Sequence, residues 1–185
     1  MRWSSKRPLR TIVIAATAAL VSALVAGPAL AQGTKTVETR GGDILNPSGQ
    51  FIKNNFRFQP KNISVTSGSV VRWVDNDADA GAPHTVTIAD QADLPSTVEE
   101  LNACYEPGGL CIETIAAHDP GLDELPPFNF VVNTGGPGLD ARGDSLLFGG
   151  PFDQAVEAQV TASAGSTLYY LCVIHPWMQG SIKVR

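Results

Sequence analysis

From Phe56 onward, apolar residues alternate with polar ones in short runs. Phe56 and Phe58 begin the pattern, Pro60 interrupts it, and Ile63 and Val65 resume it before a Ser67-Gly68 turn. Val71 and Trp73 follow, with Arg72 facing the other way. A loop rich in Asp, Ala, Gly and Pro leads to His84-Thr85-Val86-Thr87-Ile88, which reads as a strand. In the last third Val156, Ala158 and Val160 alternate, and Ala164-Gly165-Ser166 turns. Thr167 to Cys172 reads as a strand and Gly180 to Val184 as the closing one. A tight loop over Val173 to Gln179, stiffened by Pro176, joins these two. Short runs of period two, punctuated by Gly, Pro, Asn and Asp, predict a β-meander.

Two stretches depart from the pattern. Residues 32–55 are polar and Gly-rich and read as an N-terminal extension or a weak edge strand. Residues of about 90–150 are acidic and rich in Pro and Gly, and read as a long insertion into a domain spanning 56–185. Within the insertion, Ser96-Thr97-Val98-Glu99 fits a capping box, which predicts a short helix from about Thr97 to Asn102. Phe128, Phe130 and Val132 alternate like a strand. Such a segment in a β domain is expected to be a lid, a decoration or a partner surface.

The first residues change the picture of where the protein works. Arg2, Lys6, Arg7 and Arg10 precede an apolar stretch from Thr11 to about Ala26, which ends in Pro28-Ala29-Leu30-Ala31. This pattern predicts a Sec-type signal peptide over 1–31, cleaved after Ala31, and a periplasmic or otherwise exported protein with no remaining membrane span. An uncleaved anchor is the competing reading, and the shortness of the apolar stretch counts against it. Without the four basic residues of the leader, nine of the thirteen Lys and Arg remain against eighteen Asp and Glu, a net charge of −9. So acidic a chain is not expected to bind nucleic acid. The 185 residues suffice for one well-buried domain, expected to be monomeric. Charged residues make up only 17%, and 18 Gly and 13 Pro favour an all-β fold with many turns.

Three cysteines leave one unpaired in an exported protein. Cys104 and Cys111 flank a Pro-Gly-Gly turn and are expected to form a local disulfide, with a pair of reduced thiols as the alternative. The remaining thiol, Cys172, opens the segment Cys172-Val173-Ile174-His175-Pro176-Trp177-Met178. A short loop over an ion would aim the thiolate, imidazole and thioether of this segment at one point. His84 stands at the start of a predicted strand and would complete the set if that strand lay beside the one ending at Cys172. Two His and one Cys with a weak axial Met suit copper in both oxidation states, and no open position remains for a substrate. Taken singly, each residue has a plainer role: Cys172 or Met178 as packing, a His in ordinary hydrogen bonds. Zinc rarely uses a thioether.

Three stretches resemble the cupredoxin family of blue copper proteins, in its plastocyanin and amicyanin branch. The first is Phe58-x-Pro60 with Ile63-x-Val65-x-x-Gly68. The second is Val71-x-Trp73-x-x-Asn76-Asp77 leading to His84-Thr85-Val86. The third is Tyr170-x-Cys172-x-x-His175-x-x-Met178-x-Gly180-x-Ile182-x-Val184. The resemblance implies a Greek-key β-sandwich of two sheets. It also implies one type 1 copper held by His84, Cys172, His175 and Met178. The ligand loop is similar to the short amicyanin loop. Family members often carry Asn after the first His, where this chain has Thr85, a weaker hydrogen-bonding tie between the two ligand segments. Pro176 and Trp177, beside the loop imidazole, are expected to belong to a docking patch, with loop packing as the alternative for Trp177. His118 reads as a solvated loop residue. The expected function is one-electron transfer between a redox donor and acceptor, not catalysis. A multicopper enzyme would need more His than the three present. Copper binding and handling without a dedicated redox role is the alternative.

Overall fold

The period-two runs become two facing β-sheets. The computed structural model describes residues 33–79, 81–119 and 128–185. The signal peptide expected over 1–31 lies outside them. The strands are β1 (Lys35–Arg40), β2 (Asp43–Leu45), β3 (Ile52–Asn54), β4 (Arg57–Gln59), β5 (Asn62–Val65), β6 (Val70–Val74), β7 (Pro83–Ala89), β8 (Val131–Val132), β9 (Ser145–Gly149), β10 (Ala155–Gln159), β11 (Thr167–Leu171) and β12 (Gln179–Val184). Among the described residues, two α-helices, α1 (Val98–Cys104) and α2 (Leu110–His118), lie between β7 and β8. One sheet has the order β10-β6-β1-β4 and the other β5-β12-β11-β7-β9-β8, with β2 and β3 forming a separate hairpin. The chain passes from one sheet to the other between β4 and β5, β5 and β6, β6 and β7, β9 and β10, and β10 and β11. Those crossings leave β1 parallel to β6 and β5 parallel to β12 in otherwise antiparallel sheets.

The inner faces of both sheets meet in one core. Val37, Phe58, Val71 and Trp73 of the first sheet pack with Val86, Ile88, Phe148, Tyr170 and Ile182 of the second. Each large side chain buried this way contributes about 1.5–3 kcal/mol of transfer free energy. Arg72 points out and pairs with Glu157 on β10, as the alternation requires.

A third layer covers the outer face of the larger sheet. Cys104, Leu110 and Cys111 of the helices pack with Ala89, Leu171 and Val173, joined by Tyr105, Ile115 and Ile174 at the margin. Because of this cover, every residue of β7 from His84 to Ala89 is buried. The helices are stapled to each other by the Cys104–Cys111 disulfide, as expected.

Several sequence expectations are corrected. Residues 35–40 are not a polar extension: β1 lies inside the first sheet, paired on both edges, with Val37 and Thr39 fully buried. The segment of about 90–150 is not wholly an insertion, because β9 is an interior strand hydrogen-bonded to β7 and β8. Both faces of β9 are covered, so its sequence Ser-Leu-Leu-Phe-Gly carries no alternation to read. The expected helix forms, with Thr97 and Glu100 making the capping box one residue later than read. A second helix, α2, was not foreseen. The alternation at Phe128, Phe130 and Val132 yields only the two-residue β8. The hairpin β2–β3 exposes Ile44, Leu45, Phe51 and Ile52.

Candidate metal centre

The loop between β11 and β12 is folded by its own backbone. The His175 N–H donates to the Cys172 carbonyl at 3.1 Å, and the Met178 N–H donates to the His175 carbonyl at 2.8 Å. The Cys172 N–H closes the loop by donating to the Met178 carbonyl at 2.9 Å. Two successive i to i+3 turns therefore account for the three-residue spacing of Cys172, His175 and Met178. Pro176 suits the second turn, where its fixed φ is compatible and no N–H is required. Gly180 just beyond the loop is obligatory for space. A Cβ there would lie 2.3 Å from the Tyr170 ring and 2.5 Å from the Lys61 carbonyl.

β7 lies directly beside β11, which brings His84 to this loop. The Cys172 Sγ is 4.0 Å from the His84 Nδ1 and 3.7 Å from the His175 Nδ1. All three atoms lie within 4.8 Å of one another. Ligand bonds of about 2.0–2.3 Å to one ion, at trigonal or wider angles, give such separations. His84, Cys172 and Met178 are fully buried, whereas His175 is partly exposed. Met178 belongs to the same core cluster as Cys172. The Phe56 ring packs against both imidazoles, with centroids 5.1 Å from His84 and 4.6 Å from His175.

The surrounding hydrogen bonds settle which atoms face inward. The His84 Nε2 is 2.6 Å from the Asp77 carboxylate, itself buried. A carboxylate only accepts, so Nε2 carries a proton and Nδ1 is the nitrogen that faces Cys172, a donor to the thiolate when protonated and a ligand atom when not. Asp77 is held in turn by the Asp79 N–H at 2.8 Å. The Thr85 N–H donates to the Cys172 Sγ at 3.3 Å, and the Val173 N–H donates to the Thr85 hydroxyl at 2.9 Å. Thr85 thus ties the two candidate ligand segments together despite the missing Asn. From the outer layer, the Tyr105 hydroxyl reaches the Val173 carbonyl at 3.0 Å and the Ile174 carbonyl at 3.2 Å. Burial, with a smaller effect of the Cys172 charge, pushes that hydroxyl up to about 12, so it stays a donor at neutral pH.

The thiol ionises readily. Burial would raise its pKa, but hydrogen bonds and charge from His175 and His84 outweigh that and bring Cys172 down to about 6. For His84, burial favours the neutral ring, yet its contacts with Cys172 and then Asp77 raise its pKa overall. A ready thiolate between two imidazoles is a donor set suited to a soft or borderline metal ion.

Of the sequence-predicted residues, the structure brings His84, Cys172 and His175 into one cluster and buries Met178 beside them. Trp177 is 43% exposed next to the His175 ring, at 5.5 Å between centroids. Pro176 is buried, which corrects its expected place in a surface patch. His118 is not solvated: it is 4% exposed at the end of α2. Sequence reasoning missed Asp77, Tyr105 and Phe56 as neighbours of the cluster. Asp77 stood in an ordinary Asp-rich turn, and nothing local distinguished it.

A two-sheet sandwich whose neighbouring strands β7 and β11 bring a His and a Cys-bearing loop together is the architecture that the sequence resemblance implied. The fold is cupredoxin-like. No family model and no curated protein matches the chain. Among solved structures it is similar to auracyanin A, a "blue" copper protein from Chloroflexus aurantiacus. Identity is 19%, coverage is 83% of this chain and 100% of that one, and the TM-score is 0.43. It is also similar to the purple cupredoxin from Nitrosopumilus maritimus, at 14% identity, 82% and 99% coverage and a TM-score of 0.40. For amicyanin from Paracoccus versutus the values are 13%, 82% and 81%, with a TM-score of 0.38. Likenesses this distant transfer no residue role, and the metal reading rests on the chain's own side chains.

Proposed function

We propose that the chain is an exported type 1 copper protein that carries one electron at a time between redox partners. The observation that carries this reading is the buried Cys172 thiol held within 4.0 Å of the His84 and His175 Nδ1 atoms. Those three side chains would hold the ion, with the buried Met178 thioether as a fourth, weaker donor. Copper bound there would supply the exchange between its two oxidation states.

The residues of this chain would do the rest. Asp77 fixes the His84 ring, and Thr85 fixes the sulfur. Phe56 and Met178 exclude water from the inner side. The partly exposed His175 is the route by which an electron would pass to or from a partner seated over Trp177. The disulfide supports an oxidising compartment, in line with residues 1–31 acting as a removable leader. Among the described residues no helix is long and apolar enough to cross a membrane.

The test is a visible and electron-paramagnetic spectrum of residues 32–185 after one equivalent of Cu(II), beside Cys172→Ser. An intense thiolate-to-copper band with a small copper hyperfine splitting, absent from the variant, is expected. A colourless, weakly held copper complex would overturn the electron-carrier reading and favour copper handling.

A further inference from the structure

The outer face of β7 and β9 carries hydroxyls that a water-facing sheet would leave to solvent. Here α2 covers them, and they form one continuous chain. The His118 Nε2 is 2.8 Å from the Ser145 Oγ, which is 2.7 Å from the Thr87 Oγ1, which is 3.1 Å from the Thr85 Oγ1. His118 is 4% exposed, Thr85 1%, and Thr87 and Ser145 not at all.

The direction of every bond in this chain follows from its two ends. The His118 Nδ1 contacts the backbone carbonyl of Asn129, which only accepts, so Nδ1 carries the ring proton. Burial also pushes the imidazole toward its neutral form. The Nε2 lone pair must then accept from Ser145. Ser145 in turn accepts from Thr87, and Thr87 accepts from Thr85. At the other end the Val173 N–H donates to the Thr85 oxygen. Each hydroxyl donates once and accepts once, and all point toward His118. Thr85 is the residue whose N–H reaches the Cys172 sulfur.

We propose that His118 is a positioning residue for the metal centre. As the terminal acceptor of the chain through Ser145, Thr87 and Thr85, it fixes how Thr85 grips Cys172 and Val173, and so sets the reduction potential. Without that acceptor the Ser145 proton is buried unpaired, and the chain can reverse. Thr87 would then donate to Thr85, whose own proton loses its acceptor, so the hydroxyl must turn and shift the lone pair that receives the Val173 N–H. The segment following the thiolate loosens, and hydrogen bonding at the sulfur is a lever on the potential of such a centre.

The inference rests on the copper reading for its effect on potential, but the chain itself can be tested without metal. In the apoprotein, the His118 ring nitrogens should report the Nδ1–H tautomer by 15N NMR. The Val173 amide should exchange slowly, and faster in both His118→Phe and Thr87→Val. In the copper-loaded protein, each of these variants should move the Cu(II)/Cu(I) equilibrium about threefold or more, where tenfold is 59 mV for one electron. The double variant should go no further than the larger single effect, because both cut the same chain. His118→Gln, which keeps one donor and one acceptor, should recover most of the shift. An unchanged Val173 exchange rate, an unshifted potential in either single variant, or effects that add would each overturn the proposal. A wild-type protein lacking the blue spectrum would instead sink the copper reading, with the apoprotein exchange still deciding the positioning role.

Discussion

Two opposed influences act on Cys172. Its burial favours the neutral thiol, while two imidazoles a hydrogen bond away favour the thiolate, and the imidazoles prevail. The thiolate absorbance of the apoprotein should therefore titrate near pH 6, well below the ordinary 9.0. Because the folded value lies below the unfolded one, the stabilisation is fully present above about pH 9 and is lost as pH falls through about 6. Denaturant midpoints of the apoprotein and of Cys172→Ser, compared across that window, should diverge upward for the apoprotein. A titration midpoint near 9 would show that the imidazoles do not reach the sulfur. The residue types of the cluster were legible in the sequence because three candidate ligands fall at even spacing in one loop. Asp77 and His118 were not, because their roles come from contacts across the fold: Asp77 through a turn packed on β7, His118 through a helix laid over β9.

β11 and β12 approach each other closely at one point, where Gly180 lies under the Tyr170 ring. Gly180→Ala should cost about 1–3 kcal/mol by overpacking, since neither the buried ring nor the Lys61 backbone can retreat freely. Urea unfolding of the variant would measure it, and an unchanged midpoint would show that the ring has room to move. The pair α1 and α2 is held by a disulfide spanning seven residues. Replacing both cysteines by Ser should remove about 2–3 kcal/mol by releasing that short loop in the unfolded chain. Hydrogen exchange should then rise first in residues 98–118, the Tyr105 bonds to the ligand loop loosening with them. Exposed-face strands such as β6 and β10 were legible because one side of each meets water. β9 was hidden for the opposite reason, and β1 because its inward residues are a single Val and a Thr among charges.

Taken whole, the protein is an acidic body with a partly exposed imidazole as its way in. Residues 32–185 carry nine basic against eighteen acidic residues. Small cationic oxidants should therefore react with the copper-loaded, reduced protein faster than anionic ones of equal driving force. The gap should close as ionic strength rises from about 10 mM, where the Debye length is about 30 Å, to 1 M, where it is about 3 Å. Stopped-flow rates would show it, and equal rates at low salt would mean that the acidic groups lie too far from His175 to steer.

The place of β12 has a consequence for timing. Cys172, His175 and Met178 come late in the chain, and the strand that follows them fits between β5 and β11. Until β12 pairs, these two strands have open edges facing each other. The Cys172 N–H to Met178 carbonyl bond that closes the ligand loop forms only with that pairing. On the proposed copper reading, the docking of β12 would be the step that readies the site, and the ion taken up would be the one at hand when that strand pairs.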